Sequence, residues 1–129
     1  MDQAWWGEYL PEVVTKFEGE LATLNQGTNP VPHYQIKGYG NSGAGAISLA
    51  IARGATRVIL LGYDLKHSQG KRHWHGNHPA SLANAGAIHT WPSQFAQLRR
   101  DNPSIEIINC SRATALTAFP RMTLEEALN

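Results

Sequence analysis

Two stretches constrain this chain most. At Asn41-Ser42-Gly43-Ala44-Gly45-Ala46 an extended segment gives way to an amphipathic helix, and farther on Arg57-Val58-Ile59-Leu60-Leu61-Gly62-Tyr63-Asp64 reads as a buried strand ending on a carboxylate. That apolar run is too continuous for a strand with one wet face and suits a parallel strand covered on both sides. Parallel strands need a crossover, usually helical and right-handed. The pattern predicts a βαβ unit, and for the whole chain an α/β domain.

The flanking segments fill in that plan. Trp5, Tyr9, Val13 and Phe17 share one helical face over residues 3–17, with Pro11 at a first turn or a break; the adjacent Trp5 and Trp6 read as core residues or a subunit contact. Residues 21–24 suggest a short strand, 26–30 a turn and 31–37 an extended run into the glycines of the 38–43 turn. Ile47 and Ile51 with Ala44, Ala46 and Ala50 make a helix face small enough to pack closely on a sheet, and Gly54 suits its C-terminal cap. Thr90 is placed to cap a later helix with Pro92 in its first turn and Trp91, Phe95 and Leu98 as its buried stripe, ended by Asn102-Pro103. Residues 105–108 read as a strand, and Thr123 with Glu126 has capping-box spacing. The expected architecture is a small, mostly parallel sheet of three to four strands flanked by helices.

Composition bounds the function. With 129 residues and 42% hydrophobic content the chain fits a single domain with one core. A net charge of +1 argues against general nucleic-acid binding, which relies on a basic field to collect phosphates. Cys110 is the lone cysteine, so no internal disulfide forms, and a buried reduced thiol suits the cytoplasm. No apolar run approaches the ~20 residues of a membrane span, and no export signal opens the chain. A sheet this small leaves edges and apolar faces open, so a homo-oligomer is expected.

In open parallel sheets ligands bind beyond the carboxyl ends of the strands. Three segments should meet there: residues 38–43, Gly62-Tyr63-Asp64, and Asn109-Cys110-Ser111-Arg112. Gly40, Asn41, Ser42 and Gly43 would offer main-chain N–H groups and a hydroxyl at a helix N-terminus, where partial positive charge favours phosphate. The turn lacks the Lys-Ser/Thr pair of a Walker loop, and its third glycine is displaced from the Gly-x-Gly-x-x-Gly pattern. A ligand-free tight turn is the alternative. Asp64 would take ribose hydroxyls or a magnesium-bound phosphate, or would cap the loop that follows. Asn109 and Ser111 would complete the polar rim.

Between them lies Lys71-Arg72-His73-Trp74-His75-Gly76-Asn77-His78-Pro79, the densest chemical cluster, in a long polar loop. His73, His75 and His78 have the His-x-His-x-x-His spacing of metallo-β-lactamase zinc sites, but Asn77 stands where that motif needs aspartate and the chain is too short for that fold. A metal site of another kind stays open. The fuller reading has Lys71 and Arg72 closing over an anion while His73, His75 or His78 serves as general acid or base; a solvated basic loop is the bland one.

Gly40-Asn41-Ser42-Gly43, Ala46, Leu49-Ala50, Gly54-Ala55 and Ile59-Leu60-Leu61-Gly62-Tyr63-Asp64 together resemble the MptE-like, DUF115-type Rossmann-like family and, more distantly, family 42 bacterial sialyltransferases. Phage and prophage proteins of this type share the Trp-His-Gly loop, the Asn109-Cys110-Ser111 strand end and the Phe119-Pro120 to Leu128 tail, so the likeness covers nearly the whole chain. The resemblance implies a Rossmann-like domain handling a nucleotide: a pterin pyrophosphokinase with ATP and magnesium in one branch, a CMP-sugar transferase in another. Longer relatives begin with a strand and a Gly-x-Gly-Pro-Ser-type loop that supplies half of the nucleotide site, and nothing like it precedes Met1. The expectation is therefore a trimmed domain, in the host cytoplasm if phage-encoded. It captures a nucleotide-type or phosphorylated small molecule, such as an immune messenger, with a nucleotide-dependent transferase as the alternative.

Overall fold

A computed structural model describes residues 3–66, 78, 79, 82 and 86–129. Among these, the elements run α1 (Gln3–Lys16), α2 (Ser42–Ala52), β1 (Arg57–Leu60), a 3₁₀ turn (Ile88–Thr90), α3 (Trp91–Asp101), β2 (Glu106–Asn109) and α4 (Leu124–Leu128). The protein is a mixed α/β fold. β1 and β2 pair in parallel, Arg57 opposite Glu106 through Leu60 opposite Asn109, with α3 in the connection between them.

Local chemistry sets the ends of α2. Asn41, extended at φ −145° and ψ 151°, turns its Oδ1 back to accept the Ala44 N–H at 2.8 Å. At the other end Gly54 adopts φ +93°, its N–H donating to Ile51 O at 2.9 Å, while the Ala55 N–H donates to Ala50 O at 3.0 Å. This pair of bonds is a Schellman cap, and its left-handed residue is glycine because a side chain there is strained. Within α2, a methyl at Gly45 would lie 2.9 Å from Leu24 Cδ1, so the small residues admit the 21–24 segment against the helix. At α4 the capping box forms as expected: Thr123 Oγ1 accepts the Glu126 N–H at 3.2 Å, and Glu126 Oε2 accepts the Thr123 N–H at 2.9 Å.

The core joins α2 (Ala44, Ile47), β1 (Leu60), α3 (Phe95, Leu98), β2 (Ile107) and the closing segment (Leu116, Phe119). Phe95 is its hub. Its ring meets Tyr63 at 5.9 Å and Phe119 at 6.1 Å, both edge to face, and such pairs add about 0.5–1.5 kcal/mol beyond area burial.

Three expectations are not met among the described residues. Pro11, expected in a first turn or at a break, lies inside the continuous helix α1. The described sheet has two strands where three to four were expected. Residues 21–24 and 31–37 contribute only a bridge between Thr23 and His33, since Pro30 and Pro32 have no N–H to extend a ladder. Beside β2, an Asn109–Arg121 bridge likewise stops at Pro120, whose carbonyl accepts the Asn109 N–H at 2.8 Å. Thr90 occupies the N-cap position of α3 but makes no side-chain cap, because the 3₁₀ turn runs straight into the helix and the Thr90 hydroxyl donates backwards to Ala87 O at 2.8 Å. No described helix is long and apolar enough to cross a membrane.

Candidate functional site

The three segments expected at the carboxyl end of the sheet do come together, and Tyr63 is what joins them. Gly62 at φ +73° turns the chain out of β1, leaving the Tyr63 ring between α2 and α3. The Tyr63 hydroxyl donates to Gly43 O at 3.2 Å, its N–H donates to Ser111 Oγ at 2.8 Å, and its carbonyl accepts from Thr114 Oγ1 at 2.6 Å. Burial holds this phenol above its ordinary pKa, so it stays a neutral donor.

The turn before α2 is equally constrained. Tyr39 and Gly40 have φ +55° and +82°; the left-handed backbone favours glycine at 40, and a Cβ there would sit 2.7 Å from Gln94 Nε2 and push that side chain aside. Gln94, from α3, accepts from Asn41 Nδ2 at 2.8 Å. Both ends of the Asn41 carboxamide are thus committed, one to Ala44 and one to Gln94. Ser42 is exposed at the first position of the helix, and the N–H groups of Ser42 and Gly43 meet no acceptor among the described residues. These are the open donors that a helix N-terminus presents to an anion.

Asp64 is half-buried just beyond β1; its main-chain carbonyl accepts the Ala115 N–H at 2.8 Å, and its carboxylate has no hydrogen-bond or ion-pair partner among the described residues. Asn109 and Ser111 are placed differently from a polar rim. Asn109 is fully buried: Nδ2 donates to Thr114 Oγ1 at 3.2 Å and to Leu116 O at 3.4 Å, and Oδ1 accepts the Ser111 N–H at 3.0 Å. Ser111 is buried too, with its hydroxyl oxygen accepting from Tyr63 and its carbonyl from Arg121 Nη2 at 3.0 Å. They shape the 109–116 loop and hold it to β1.

Lys71, Arg72, His73 and His75 lie outside the described residues, and His78 is half-buried. Among the described residues no group of three or more histidine, cysteine or carboxylate side chains is gathered for a metal ion. Reading by residue type misses Gln94 and Thr114, which reach the site from distant sequence positions; only the polar character of Gln94 on an otherwise apolar helix face hints at its role. Comparison with protein-family models, with characterised proteins and with solved structures finds no match to this chain.

Proposed function

We propose that this protein is a Rossmann-like domain that binds a nucleotide-type or other phosphorylated small molecule at the carboxyl edge of its sheet, capturing it as a signal-sequestering protein would. The observation carrying this reading is the pair of amides at Ser42 and Gly43 that meet no acceptor among the described residues, held beside Tyr63, whose chain neighbour Asp64 carries a carboxylate without a partner among those residues. The amides and the helix dipole favour a phosphate, and a carboxylate just beyond β1 suits ribose hydroxyls or a phosphate-bound magnesium ion. Tyr63, Gln94 and Asn41 hold the amides in place without using them.

Ser42→Asp tests it. A carboxylate at the first helical position stabilises α2 by roughly 0.3–1 kcal/mol through the helix dipole while repelling an anionic ligand. Isothermal titration with inorganic phosphate, nucleotides and cyclic nucleotides should find a binder whose affinity the variant abolishes while its thermal midpoint holds or rises. Undiminished binding to Ser42→Asp would refute the site. Mass analysis of the recovered ligand separates capture, which returns it intact, from transfer, which changes its mass.

A further inference from the structure

We draw no further inference here: the strongest candidate, the apolar face of α1 formed by Trp5, Tyr9, Val13 and Phe17, carries nothing because nothing in the structure shows what covers it.

Discussion

α1 and α3 present the same kind of sequence and meet different fates. Each carries aromatic and aliphatic residues at helical spacing, Trp5, Tyr9, Val13 and Phe17 in one and Trp91, Phe95 and Leu98 in the other. Phe95 and Leu98 are buried, with 1% and 0% exposure, while Phe17 is largely in solvent. The difference comes from chain order. α3 lies between two parallel strands, and the crossover that joins them must lie back on the sheet; α1 precedes the βαβ unit, and no strand after it dictates where it rests. Periodicity tells which face of a helix is apolar. Topology tells whether anything covers it.

The comparison breaks if the two stripes respond alike to truncation. Phe95→Ala should cost about 3–5 kcal/mol, because it removes a buried ring in contact with Tyr63 and Phe119 and leaves a cavity under α2. Phe17→Ala should stay within about 0.5 kcal/mol in the isolated protein. Urea unfolding measures both, and comparable losses would mean that α1 is as much a part of the core as α3.

A smaller effect sharpens how α3 is fastened to α2. Gln94→Leu takes the acceptor from Asn41 Nδ2 and leaves that donor half-buried, a loss of about 1–3 kcal/mol. Asn41→Ala removes the N-cap itself, typically about 1 kcal/mol. The two residues share one network, so the double variant should cost less than the sum; strict additivity in urea midpoints would show that Gln94 does not act through the cap.

Much of this was legible in the residues, and the illegible part has a physical reason. The Asn41 cap, the Gly54 cap and the Thr123–Glu126 box are contacts within four residues, written where they act. The prolines at 30, 32 and 120 are also legible, as the signal that demotes the neighbouring extended runs to single bridges. Tyr63, Gln94 and Thr114 belong to the other kind: their bonds cross 20 to 53 residues of chain, and no local pattern encodes them. Asn109 and Ser111 show the reverse difficulty. A polar residue after a buried strand looks the same in sequence whether it faces a ligand or, as here, closes a loop onto its own backbone.

The smallest expected effect concerns two ion pairs of the same chemistry, one on each helix. Glu12 and Lys16 are neighbours on α1, 2.8 Å apart and exposed, so separating them frees no other part of the fold. On α3 Asp101 accepts from Lys37 Nζ at 2.7 Å and from the Tyr39 hydroxyl at 2.8 Å, tying the helix end to the segment that leads into the Gly40 turn. The bond from Lys37, then those from Tyr39 and Gln97, hold the Asp101 carboxyl down to about 2, and burial followed by Asp101 itself raises the Tyr39 phenol above its ordinary value. A carboxylate depressed on folding stabilises above its unfolded pKa of about 3.9, and that contribution is lost as pH falls toward 2; a phenol raised on folding stabilises below about 10 and loses its part as pH climbs past that. The tie should therefore hold between about pH 4 and pH 10. NMR chemical shifts of residues 37–41 should move as pH leaves that window, and at all pH values in Asp101→Asn, and the low-pH midpoint of that change should match the titration of Asp101. An Asp101 carboxyl that titrates near 3.9 by NMR would place the two pairs on an equal footing and remove this distinction between the helices.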